Sequence, residues 1–162
     1  MGVKRLSILG STGSVGTQTL DLVAENPDAY QICALIGGRN VALLAEQARR
    51  FRPEITVISD ETLLPALREA LSGSHLAIAG GRQAVLEAAG RKADWTMCAI
   101  TGTIGLEPTL AAVRQGGAIA FACKESMVSA GDVFLREVEA AGATLLPVDS
   151  EHNAVSYTHL TL

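Results

Sequence analysis

Residues 5–16 read R-L-S-I-L-G-S-T-G-S-V-G. A short apolar run ends in three glycines, Gly10, Gly13 and Gly16, at GxxGxxG spacing. Residues 15–25, V-G-T-Q-T-L-D-L-V-A-E, then place apolar side chains at helical intervals. A strand that runs through a glycine cluster into a helix is how a βαβ unit begins. There the glycines offer a tight turn and a Cβ-free surface, so a pyrophosphate can reach the backbone N–H groups at the helix N-terminus. Ser11, Thr12 and Ser14 add hydroxyl donors. The competing reading is a glycine-rich turn with a serine that caps the helix. The position, after the first strand and opening the first helix, favours dinucleotide binding.

The same alternation continues outward from this unit. YQICALI (30–36) is a second strand, and VALLAEQARRF (41–51) is a helix with Asn40 placed to cap it. EITVIS (54–59) is a third strand, followed by a helix over 60–71. HLAIA (75–79) is a short strand before a helix over 81–89. WTMCAI (95–100), AIAFA (118–122) and ATLLPV (143–148) are strands, with helices over 106–115 and 131–141. Apolar strands without alternation, separated by amphipathic helices, indicate a parallel sheet covered on both faces. The predicted fold is therefore α/β, a doubly wound, mostly parallel, Rossmann-like sheet over residues 1–148.

Bulk properties exclude several classes. The 162 residues suffice for one domain with a sizeable core. A net charge of −4 with no long basic run argues against a nucleic-acid partner. No stretch reaches the ~18–20 apolar residues of a membrane span, so no membrane association is expected. The N-terminus enters a strand directly and has no signal-peptide pattern. Cys33, Cys98 and Cys123 are far apart and form no CxxC. Such an odd, unframed set suits a reducing, cytoplasmic setting, with Cys33 and Cys98 as small core residues.

Two strand ends carry basic residues. An NAD site places an acid near the end of the second strand to hold the ribose 2′-OH. Here residues 36–40 read I-G-G-R-N, with no carboxylate. Arg39 in that place can pair with a 2′-phosphate, which favours NADP; the alternative is a solvated turn arginine beside a helix cap. In AFACKESMVSAG, Lys124 and Glu125 follow another strand end, where open α/β sheets bind ligands. They read equally as a surface pair at a helix start. T-G-T-I-G (101–105) either borders the nicotinamide side or is a plain turn.

The last strand ends in P-V-D-S-E-H-N (147–153). In an extended segment Asp149 and Glu151 project from one face, with Ser150 on the other. Two convergent carboxylates without cysteine suit a hard cation such as Mg²⁺ or Mn²⁺. A polar turn capping a helix is the competing reading, and two carboxylates alone leave a metal site incomplete.

GSTGSVG, GGRN, ACKES and PVDSEHNA, in this order and spacing, together resemble the 1-deoxy-D-xylulose 5-phosphate reductoisomerase family. The resemblance spans residues 4 to about 155. It implies an NADPH-dependent, divalent-metal-dependent enzyme that makes 2-C-methyl-D-erythritol 4-phosphate for isoprenoid synthesis, with a sugar-phosphate substrate and a homodimeric parent. It implies that Thr12, Gly13, Ser14 and Val15 hold the pyrophosphate, and that Gly38, Arg39 and Asn40 receive the 2′-phosphate side. Lys124 is implied as catalytic and substrate-binding, Glu125 as cofactor-binding and Ser150 as substrate-binding. Asp149 and Glu151 are implied as catalytic metal ligands, with Glu151 also meeting substrate.

The chain departs from the family pattern twice. Cys123 stands at a cofactor-side position where the family has Asn. After Ala154-Val155, the continuation S-Y-T-H-L-T-L does not match. Residues 149–155 are thus expected to begin a truncated catalytic domain and 156–162 to be a non-native tail, leaving this chain inactive alone. A free-standing NADP-binding module, or part of another two-domain NADP oxidoreductase, are the alternative readings.

Overall fold

The computed structural model describes residues 2–122 and 124–147, with side chains undescribed at 103, 124–130 and 147. Seven strands form one sheet: β1 (Lys4–Leu9), β2 (Tyr30–Gly37), β3 (Ile55–Ile58), β4 (Ile78–Gly80), β5 (Trp95–Cys98), β6 (Ala118–Phe121) and β7 (Thr144–Pro147). Their order is β4-β3-β2-β1-β5-β6-β7. Every neighbouring pair is parallel, as the unalternated apolar runs predict. Among the described residues the α-helices that connect them are α1 (Ser14–Glu25), α2 (Val41–Phe51), α3 (Leu64–Ala70), α4 (Arg82–Ala89), α5 (Leu106–Arg114) and α6 (Lys124–Ala141).

The two sheet faces carry separate cores. Leu6 and Ile8 of β1 and Trp95 and Met97 of β5 pack with Leu20, Val23, Leu44 and Leu67 from α1, α2 and α3. Leu9, Ile36, Val57 and Cys98 pack on the other side with Val85, Val113 and Phe134 from α4, α5 and α6. Adjacent strand residues such as Ile8 and Leu9, both fully buried, serve opposite layers. That double burial is why the strands read as continuous apolar runs. Cys33 and Cys98 are buried, and burial pushes the Cys33 thiol up, away from reactive thiolate.

Several strands are a residue or two shorter than predicted, such as β5, which ends at Cys98 rather than 100, and three elements differ in kind or starting point. β4 begins at Ile78, not His75, because His75 takes a left-handed φ of 63° that a strand cannot hold. The region 60–71 opens with a 3₁₀ turn, Glu61–Leu63, before α3. Asp60 caps that turn by accepting from the Thr62 N–H at 3.1 Å. The last helix starts at Lys124 rather than 131, with a break at Gly131 (φ 43°, ψ −117°) that divides it. Among the described residues no helix is long and apolar enough to cross a membrane.

Candidate nucleotide-binding site

β1 is the strand from which the chain winds in both directions. β2, β3 and β4 build outward on one side, and β5 returns to its other side. Connections therefore diverge at the carboxyl ends of β1 and β5 and leave a crevice between them. A cavity of about 360 Å³ lies there. Gly10, Gly13, Ser14 and Val15 supply one wall and Ile36, Gly37 and Gly38 another. Ala99, Ile100 and Thr101 follow β5, and Ala122 follows β6.

The glycine loop is held from three sides. Both Gly10 and Ser11 donate their N–H groups to the Ile36 carbonyl, at 2.8 and 3.0 Å. Gln47 of α2, almost fully buried, donates its side-chain amide to the Ser11 carbonyl at 2.8 Å. Gly10 has φ 89°, and a Cβ there would stand 2.6 Å from the Ala99 carbonyl oxygen. A Cβ on Gly16 would stand 2.2 Å from the Gly10 oxygen. Gly13 meets only ordinary contact, 3.6 Å from that same oxygen, and faces the cavity.

Gly13 is the N-cap of α1, and no side chain caps this helix. The capping-serine reading therefore fails: Ser14 is already the first helical residue and is exposed. The Gly13 N–H donates to the Gly10 carbonyl at 3.2 Å, and the positive dipole end of α1 lines the cavity through Gly13, Ser14 and Val15 with no side chain capping it, which suits an anionic group. Ser11 was expected to offer a donor, but its hydroxyl is fully buried and turned away from solvent. Thr12 is half-buried over Gly37, and Val15 is buried in the wall. The crevice, Cβ-free backbone at Gly13 and a helix start without a side-chain cap together fit a dinucleotide pyrophosphate.

Gly38, Arg39 and Asn40 are exposed at the end of β2, beside this crevice. The Asn40 side chain accepts from the Leu43 N–H at 3.1 Å and caps α2, as its position predicts. Arg39 turns to Asp60, with Nε 3.3 Å from Oδ2. Two hydrogen bonds from Thr62, then the charge of Arg39, hold the Asp60 carboxyl below the usual aspartate range. The end of β3 is strapped to this turn, as Ser59 donates to the Gly37 carbonyl (2.8 Å) and Asp60 to that of Gly38 (3.2 Å).

The backbone of Lys124 and Glu125 opens α6, two residues past Ala122 of the cavity wall. Cys123, Asp149, Ser150, Glu151 and the expected tail 156–162 lie outside the described residues. The sequence pattern does not point to Ser59, Asp60, Gln47, Ala99 or Ile100, which with Ile104 of the 101–105 turn surround the site. Ile104 is 78 % exposed, and with Ala99 and Ile100 it closes the crevice from the β5 side. Their only signal was position, since every strand end in a parallel sheet faces the same rim. The 101–105 turn does border the crevice, through Thr101 and Ile104. A second cleft of about 300 Å³ shares Ser59, Ile100 and Ile104 and runs between α4 and α5 along Val85, Leu86 and Pro108.

Comparison with known proteins agrees with this geometry. A family model described as 1-deoxy-D-xylulose 5-phosphate reductoisomerase matches residues 6–131. The reductoisomerase of Gluconobacter oxydans is 60 % identical over 153 residues, covering 94 % of this chain and 38 % of the relative. That of Rhodospirillum centenum is 54 % identical, covering 95 % of this chain and 38 % of the relative. The chain thus spans about 38 % of the length of these relatives. Among solved structures, the Zymomonas mobilis reductoisomerase in complex with NADPH superposes with a TM-score of 0.89 at 50 % identity, over 93 % of this chain and 40 % of that one. A reductoisomerase in complex with NADPH, fosmidomycin and magnesium gives 0.86 at 37 % identity, over 93 % and 37 %.

Proposed function

Because the chain belongs to the 1-deoxy-D-xylulose 5-phosphate reductoisomerase family, we propose that it is the NADPH-binding part of such an enzyme. The observation that carries this reading is the crevice between β1 and β5, where the uncapped start of α1 meets a glycine-lined wall. Ser14 and Val15 would take the pyrophosphate on backbone N–H groups, with Gly13 giving a Cβ-free approach beside them and the Thr12 hydroxyl alongside. Arg39, flanked by Gly38 and Asn40, would take the 2′-phosphate, since no carboxylate follows β2 to claim a 2′-OH. The cleft between α4 and α5, about 300 Å³ and lined by Val85, Leu86, Ile100, Ile104 and Pro108 with Arg82 and Glu107, shares residues with the same crevice and would be the place for a flat base.

The reaction assigned to the whole enzyme is rearrangement of 1-deoxy-D-xylulose 5-phosphate and reduction to 2-C-methyl-D-erythritol 4-phosphate. NADPH supplies the hydride, and Mg²⁺ or Mn²⁺ supplies Lewis acidity toward the sugar-phosphate oxygens. In this reading Asp149 and Glu151 are two of the metal's ligands. Ser150, Lys124 and Glu151 meet the substrate, and Glu125 and Cys123 border the cofactor. These assignments rest on the family resemblance of the motifs. Residues 1–148 form the nucleotide domain and 149–155 the entry to a catalytic one. A homodimeric, cytoplasmic parent completes the proposal.

Titration of the 162-residue chain with NADPH and NADH tests it directly. NADPH is expected to bind at least ten-fold more tightly, a typical reward for one charge-assisted phosphate contact (about 1.5–3 kcal/mol). Turnover of 1-deoxy-D-xylulose 5-phosphate is expected only when the remaining length of the relatives is supplied. Equal affinity for the two cofactors would remove Arg39 from its role, and no binding of either would overturn the reading.

A further inference from the structure

We propose that Asp60 is a positioning residue: it orients the Arg39 guanidinium and thereby tightens the hold of the site on a ribose 2′-phosphate. The inference rests on the Arg39 reading above and extends it to a residue in the next strand-end loop. Asp60 is itself anchored. Its backbone N–H donates to the Gly38 carbonyl at 3.2 Å, and one carboxylate oxygen, Oδ1, accepts from both the N–H and the hydroxyl of Thr62. Only Oδ2 is left to face Arg39, and it meets Nε at 3.3 Å. An arginine engaged through Nε keeps the donors of its two terminal nitrogens, the fork that binds a phosphate in bidentate fashion.

Two opposing effects must be weighed. Arg39 is 81 % exposed, so its ion pair adds little to fold stability. What the pair does is restrict a long, rotamer-rich side chain before the ligand arrives, which lowers the ordering cost of binding. Against this, the Asp60 charge repels a phosphate. The guanidinium stands between the two, the phosphate sits on its far edge, and solvent and salt screen across that distance. Pre-ordering therefore outweighs repulsion.

The probes are adenosine 2′,5′-bisphosphate and AMP, which address only the adenosine half of the site, measured by calorimetry near physiological salt. Asp60→Asn keeps an oxygen for Thr62 while removing the charge. It is expected to weaken the bisphosphate by about two- to ten-fold, the scale of the ordering cost of one long side chain, and to leave AMP unchanged. In an Arg39→Gln background, Asp60→Asn is expected to change nothing further. Tighter bisphosphate binding, equal losses for both probes, no loss at all, or the same loss without Arg39 would each overturn the proposal while leaving the Arg39 reading intact. If Arg39→Gln alone leaves the preference for the bisphosphate unchanged, the 2′-phosphate reading falls, and this proposal with it.

Discussion

Gly10, Gly13 and Gly16 share one motif but not one task. Gly10 is needed because its φ is 89° and β5 passes so close that a Cβ would press on the Ala99 carbonyl. Gly16 is needed because α1 leans on the loop itself, so that a Cβ at Gly16 would stand 2.2 Å from the Gly10 oxygen. Gly13 is free of both constraints and opens onto the crevice. Gly16→Ala is therefore expected to destabilise the protein by roughly 2 kcal/mol or more, because the contact is backbone and cannot swing aside. Gly13→Ala is expected to stay within about 1 kcal/mol of the parent in urea unfolding, yet to weaken NADPH, because its methyl fills the approach to the α1 N–H groups. Equal stability losses in both variants would contradict this division. The motif was legible as residues 10–16, but the division of labour was not. It depends on Ala99, 89 residues away in sequence, and on how closely α1 lies against its own loop.

At the scale of elements, Asn40 was readable before any coordinates, because capping is local: an Asn just before an apolar-periodic run has its partner three residues on. Asn40→Ala is expected to cost about 1 kcal/mol, with Asn40→Asp recovering most of it, as read by urea denaturation. Both values should hold whether or not nucleotide is present, since the side chain is committed to the Leu43 N–H. Other boundaries were less legible. β4 loses its first residues because the chain turns through His75 in a left-handed conformation, and periodicity in HLAIA carries no trace of that φ. α6 begins at Lys124, seven residues before its predicted start. Gly131 marks a break between two helical segments (φ 43°, ψ −117°).

The whole molecule is two cores separated by one sheet, and the site sits where their connections part. Phe134 illustrates how α6 is held in place: it is fully buried among the residues of the α4–α5–α6 face, its ring 5.4 Å from that of Phe121 on β6. Phe134→Ala should therefore cost about 3–5 kcal/mol, several times the loss of the Asn40 cap, and show as a large fall in the urea midpoint. A loss below about 1 kcal/mol would mean that α6 is not docked on this face in solution.

Alone, the sequence determined the class of fold, the order of elements and the place of the glycine loop, because hydrophobic periodicity and capping act over a few residues. It also carried the four motifs of the family. Only the tertiary structure decided which strand ends share a rim. Strand order is a matter of pairing between distant segments: it sets β5 against β1 and so brings Ile100 and Ile104 to the glycine loop. It likewise places Asp60 of one loop against Arg39 of another. These are contacts between remote residues, chosen by the packing of buried faces, and no local pattern encodes them.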